Sequence, residues 1–122
     1  MHISPFGFQR VKVIALAVAD LDRATIFYSN TLELALAYEG GVQVGYMLGT
    51  TTLVLMPVGY AEPTEQPNPR ITIATDHAPD TERMLLLRGV VISDPVRVQG
   101  ESYVGSFLDS EGNKLWFCSP VV

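Results

Sequence analysis

The sequence predicts an α+β chain of two βαβββ modules in tandem, and three observations carry that prediction. Val13-Ile14-Ala15-Leu16-Ala17-Val18-Ala19-Asp20 can be laid over Arg70-Ile71-Thr72-Ile73-Ala74-Thr75-Asp76-His77, each an apolar strand that feeds a helix. Self-similarity at one fixed offset marks a duplicated supersecondary unit, and two copies suggest a pseudo-symmetric domain rather than a solenoid. Between the copies, residues 57–69 hold four of the eight prolines with Gly59 and Asn68, and proline lacks the amide that a strand ladder needs. After each helical stretch, short apolar runs separated by glycine-containing turns read as three further strands. The expected organisation is one domain over 1–122, with a first module at 11–56, a proline-rich connector at 57–69 and a second module at 70–120.

In the first module Val11–Val18 reads as a strand. Ile14, Leu16 and Val18 form its large face and Val13, Ala15 and Ala17 its small one. Alternate residues point to opposite faces, so the large set is expected against a helix. The small set leaves room for a ligand or for close packing, and the segment alone does not choose between them. Asp20 is suited to cap the next helix, because its carboxylate can accept from the free amides of the first turn. Leu21, Ala24, Phe27, Tyr28 and Thr31 recur at helical spacing, predicting a helix to about Leu32. Strands are expected at Ala35–Glu39, Val42–Leu48 and Thr52–Met56, broken by Gly40-Gly41 and by Gly49-Thr50-Thr51.

The second module repeats the plan. Pro79 suits a first helical turn, Met84–Leu87 is the apolar run, and Gly89 stands just past the helix end. Val90–Ser93 reads as a short strand. Tyr103–Leu108 and Lys114–Cys118 form a hairpin across Asp109-Ser110-Glu111-Gly112-Asn113, where Gly112 can take the positive φ of the turn.

A length of 122 residues suits a single core. With 48% hydrophobic and 17% charged residues, the chain has the balance of a packed globular protein rather than a disordered one. The net charge of −5, with eight scattered Lys and Arg, excludes a phosphate-backbone footprint and argues against an anionic membrane surface. Cys118 is the one cysteine, so no intrachain disulfide forms and a reducing cytoplasm is the expected compartment. Val11–Ala19, the longest mostly apolar stretch, falls short of the ~20 residues of a spanning helix. Met1–Arg10 lacks the basic and apolar regions of a signal peptide.

Val18-Ala19-Asp20-Leu21 followed by Phe27-Tyr28 and Leu32, together with the closing Phe107-Leu108-Asp109-Ser110-Glu111-Gly112-Asn113-Lys114-Leu115, resembles the signatures of the vicinal oxygen chelate superfamily. That group holds glyoxalase I, bleomycin-resistance proteins and extradiol dioxygenases, and the resemblance covers nearly the whole chain after Arg10. It implies that each module is a curved mixed sheet with a helix on its outer face, and that paired modules enclose a cavity, completed in a homodimer by a second chain. Enzymes of the superfamily hold a divalent metal there with His, Glu or Gln. Aligned on the quoted motifs, the four ligand positions fall on Val13, Val54, Arg70 and Trp116. Valine and tryptophan offer no suitable lone pair and arginine stays protonated, so no metal and no other cofactor is expected. A shift of one residue does not help, because Lys12, Ile14, Leu53, Leu55, Pro69, Ile71, Leu115 and Phe117 are equally unsuited.

The candidate ligand-binding residues are therefore Val13, Tyr46, Val54, Arg70 and Trp116. By strand parity Arg70 shares a face with Thr72 and Ala74 and could clamp a carboxylate or phosphate; the alternative is solvent exposure or pairing with Glu62 or Glu65. Trp116 shares its face with Lys114 and Cys118 and could wall an aromatic ligand or simply fill the space of a metal. Tyr46, Tyr103 and Phe107 carry the same two readings. Histidine is the side chain suited to general-base work near neutral pH, but with no carboxylate, serine or cysteine set beside His77 by the sequence pattern, a surface role at the helix start is favoured. Cys118 reads as a structural thiol, and Asp109 and Glu111 as turn residues. The expected function is metal-free small-molecule binding, with resistance-type sequestration as the form that needs no catalytic group. The alternatives are a lyase or dioxygenase-type enzyme with a divergent site and a dimerising or regulatory module with a filled interior. The expected partners are an aromatic or anionic small molecule and a second copy of the chain, with no nucleic acid and no membrane.

Overall fold

The computed structural model describes residues 5–57, 59 and 61–121. The connector residues Val58 and Tyr60 and the first four residues of the N-terminal stretch lie outside the described residues.

Among the described residues, eight strands and two α-helices follow in the expected order. In the first module β1 (Val13–Ala17) leads to α1 (Leu21–Ile26), which continues as a π-helical turn over Phe27–Thr31. β2 (Leu36–Glu39), β3 (Val42–Leu48) and β4 (Thr51–Met56) complete it. The second module runs β5 (Thr72–Ala74), α2 (Ala78–Leu87), β6 (Val91–Gln99), β7 (Ser102–Leu108) and β8 (Lys114–Pro120). Each module forms one four-stranded mixed sheet, and the orders β1-β4-β3-β2 and β5-β8-β7-β6 are the same topology written twice. In both, the outer pair is parallel and the other two pairings are antiparallel. This is the architecture expected of the duplicated unit.

The large face of β1 meets the helix layer: Leu16 is buried and, with Ile14 packed against it, joins Phe27, Tyr28, Tyr46 and Leu53, and Val18 just past the strand is buried as well. The same core continues into the second module through Ala78, Leu85, Phe107, Leu115 and Phe117. Asp20 caps α1 as expected, its side chain accepting from the Arg23 amide at 3.0 Å. Gly45 is forced by close approach, since a Cβ there would lie 2.2 Å from the Leu53 carbonyl oxygen on β4. Gly112 takes φ +88° in the β7–β8 turn.

The largest departure from the sequence pattern is in β6. β6 extends through Pro95 to Gln99, with register shifts between Ile92 and Asp94 and between Asp94 and Arg97. It is an edge strand of its sheet, the position where a missing amide and a bulge cost little.

The Asp109–Asn113 turn does more than close a hairpin, which corrects its reading as turn chemistry alone. Glu111 reaches across to α1, where its carboxylate accepts from the Ala19 and Asp20 amides at 2.9 and 2.7 Å and from Arg23 Nε at 2.7 Å. Asp109 accepts from the Tyr28 hydroxyl at 2.7 Å, and Asn113 Nδ2 donates to the Ala17 carbonyl at 2.7 Å. A buried polar cluster thus fastens the last hairpin to the first module, and each of its members is satisfied.

Candidate functional site

The face of each sheet turned away from its helix carries most of the residues singled out above. In the second sheet the register sets Asp94 opposite Ser106, Ser106 opposite Trp116, and Trp116 opposite Thr72, a continuous row across all four strands. Arg70, just ahead of β5, lays its guanidinium over the indole with Cζ 3.9 Å from the ring centroid. Among the described residues Arg70 forms no salt bridge, to Glu62 or Glu65 or any other carboxylate, so its donors remain available. Lys114 Nζ stands 4.8 Å from the same ring and 2.6 Å from Asp94 Oδ2. The Lys114 ammonium, and after it the Ser106 hydroxyl, hold the Asp94 carboxyl below its usual range. Two cations therefore flank one half-buried indole, and one of them already has its counter-ion.

In the first sheet Val13 pairs with Thr52 and Ala15 with Val54, so Val13 and Val54 are diagonal neighbours on adjacent strands of the helix-free face. Val13 is 45% exposed. Tyr46 stands apart from the other four candidates. It is opposite Leu53, which is opposite Ile14, and so it points to the helix side; it is 2% exposed, with its hydroxyl 2.8 Å from Ser29 Oγ. Cys118 shares the open face with Trp116 and is half-buried.

The donor chemistry of this face does not fit a divalent cation. The residues at the four positions are two valines, a tryptophan and an arginine whose positive charge lies over the Trp116 ring, where it repels a cation. Among the described residues no three His, Cys, Asp or Glu side chains group as metal ligands.

A second concavity lies on the helix side. A cavity of about 610 Å³ opens between the π-helical turn and α2, with Leu48, Leu53, Ile73, Phe107, Leu115 and Phe117 of both sheets as its floor. His77 sits at its mouth, and Asp80, one helical turn on, brings Oδ2 to 3.0 Å from His77 Nδ1. This corrects the expectation that no carboxylate stands beside His77: the i,i+3 spacing at a helix start was the available signal. Asp94 lies beyond the strand the sequence pattern predicts, which stops at Ser93 before Pro95, whereas Ser106 lies in a predicted strand and only the register sets it beside Asp94 and Trp116.

No helix among the described residues is long and apolar enough to cross a membrane. In sequence, no protein-family model and no curated protein matches the chain. Solved structures do match its architecture. A putative glyoxalase family protein from Bacillus anthracis superposes with TM-score 0.76 at 13% identity, over 93% of this chain and 96% of its own. A lactoylglutathione lyase from Agrobacterium tumefaciens gives TM-score 0.72 at 18% identity, over 95% and 96%. TnmS3, an antibiotic binding protein from Streptomyces sp. CB03234, gives TM-score 0.69 at 22% identity, over 93% and 97%.

Proposed function

From a chain with the fold of the glyoxalase/bleomycin resistance protein/dioxygenase group, we propose a protein that binds an aromatic, anionic small molecule on the helix-free sheet face without a metal. The observation that carries this reading is the Arg70 guanidinium stacked on Trp116 with no carboxylate of its own. An indole offers a flat apolar wall, and a planar guanidinium can meet a carboxylate through two parallel hydrogen bonds. Val13 and Val54 supply apolar surface on the other sheet. A face this open within one chain leaves a ligand in contact with water, so the reading includes a homodimer in which a second copy covers it. Binding without turnover amounts to sequestration, as the Streptomyces neighbour's description as an antibiotic binding protein would suit. The setting of the reading is the cytoplasm.

Trp116 is the one tryptophan, so its emission reports this face directly. Titration with aromatic carboxylates such as 4-nitrobenzoate should quench it saturably, and Arg70→Ala should weaken binding by at least about tenfold, the loss of a charge-assisted hydrogen bond. Equal affinity in Arg70→Ala would refute the reading. The enzyme alternative has one observation in its favour, the His77–Asp80 pair. Stoichiometric zinc, nickel, manganese or iron in the purified protein would shift the balance to it.

A further inference from the structure

We propose that the helix-side cavity is a second ligand site, specific for an apolar molecule whose one polar end is neutral or a hydrogen-bond donor rather than an anion. Protein interiors pack with few voids larger than a water molecule, and those are small. A space of about 610 Å³ is instead of the size that small-molecule pockets occupy. Its floor is aliphatic and aromatic and is built jointly by the two sheets, with Leu48 and Leu53 from the first and Ile73, Phe107 and Phe117 from the second. Only a largely apolar body would be favoured against that surface over water.

The mouth selects the end group. Glu33, Asp76, His77, Asp80 and Arg88 stand there. Arg88 is committed, since it donates to the Thr31 carbonyl and pairs with Glu33. Asp80 is shared between Arg83 and the neighbourhood of His77 Nδ1, whereas Asp76 forms no ion pair among the described residues. The free groups at this rim are therefore the Asp76 carboxylate, which accepts, and the His77 imidazole, whose buried Nδ1 has no hydrogen-bond partner despite its approach to Asp80; a carboxylate or sulfonate would meet the like charge of Asp76 and Asp80. This is the reverse of the preference argued for the Arg70–Trp116 face, which lies on the other side of the sheets. The wall is also irregular where it borders the space. α1 gives way to the π-helical turn at Phe27–Thr31, and Glu33 adopts φ +54°, a conformation that non-glycine residues rarely hold.

Two probes with a common anilinonaphthalene body separate the possibilities. N-phenyl-1-naphthylamine is uncharged and carries an N–H donor; 8-anilinonaphthalene-1-sulfonate adds an anion. The folded full chain should bind the amine at one per chain and at least about tenfold more tightly than the sulfonate binds this cavity. Methyl resonances of Ile71, Ile73 and Leu34 should shift on saturation with the amine, while those of Val13 and Val54 stay in place. Leu34→Trp, which fills the cavity, should weaken the amine by at least about tenfold with an unchanged far-UV circular dichroism spectrum. Absence of saturable amine binding, or shifts confined to Val13 and Val54, would overturn the proposal. Where Leu34→Trp does not fold, the methyl shifts of the unaltered chain decide.

Discussion

Glu111 offers the sharpest test of how the two modules are held together. Its side chain is 0% exposed, and Arg23, with the Asp20, Ser110 and Ala19 donors, lowers its pKa from 4.5 to about 2. That depression corresponds to an upper bound of about 3 kcal/mol at neutral pH. Arg23 is 55% exposed, so solvent screens the pair and about 1–2 kcal/mol is the expected stabilisation. Because the folded-state pKa is depressed, this contribution is fully present above pH 4.5 and fades as pH falls towards about 2. Glu111→Gln keeps the shape but removes the charge. Urea unfolding at pH 7 should show it less stable by about 1–2 kcal/mol, and the gap to the unaltered chain should narrow at about pH 3. Equal stability at pH 7, or a gap that does not change with pH, would refute the claim that an ionised Glu111 ties β7–β8 to α1.

Four further outcomes follow from the structure. Tyr28→Phe deprives the buried Asp109 carboxylate of a donor at 2.7 Å and should cost about 1–3 kcal/mol in chemical denaturation. Burial first, and Asp109 second, raise the Tyr28 pKa well above 10.0, so one tyrosine should stay un-ionised in a spectroscopic alkaline titration until the chain unfolds. Gly45→Ala places a methyl against the Leu53 carbonyl and should destabilise by about 1–3 kcal/mol or more, seen as a lowered Tm. Sedimentation of the protein should give twice the chain mass if a second copy covers the Arg70–Trp116 face; a strict monomer at micromolar concentration would remove that part of the proposal.

Much of the fold is legible because it is written twice. The large-small alternation of β1, Asp20 at the helix start, Gly49 and Gly112 at the turns and the proline connector are local signals, and each acts through backbone geometry that a few residues fix. What the sequence hides is pairing at a distance. Asp94 enters the open-face row only because an edge strand tolerates Pro95 and continues past it, which depends on where the strand lies in the sheet. Glu111 serves α1 rather than its own turn, a contact between residues far apart in the chain. Tyr46 shows the limit of reading aromatics as walls: its parity with Leu53 and Ile14 places it under α1, and only the register between strands supplies that parity. Arg70 and Trp116 are linked in the sequence only by the alignment that puts both at would-be ligand positions, and the helix-side cavity has no sequence pattern at all, being the space left where helices and sheets do not meet.

The central claim is that the open face takes an aromatic anion by cation and indole rather than by metal. Trp116 emission, titrated with 4-nitrobenzoate in the presence of EDTA and then with zinc, nickel, manganese or iron supplied, tests it most directly. The account predicts saturable quenching with the same Kd under both conditions; quenching that requires the metal would contradict it.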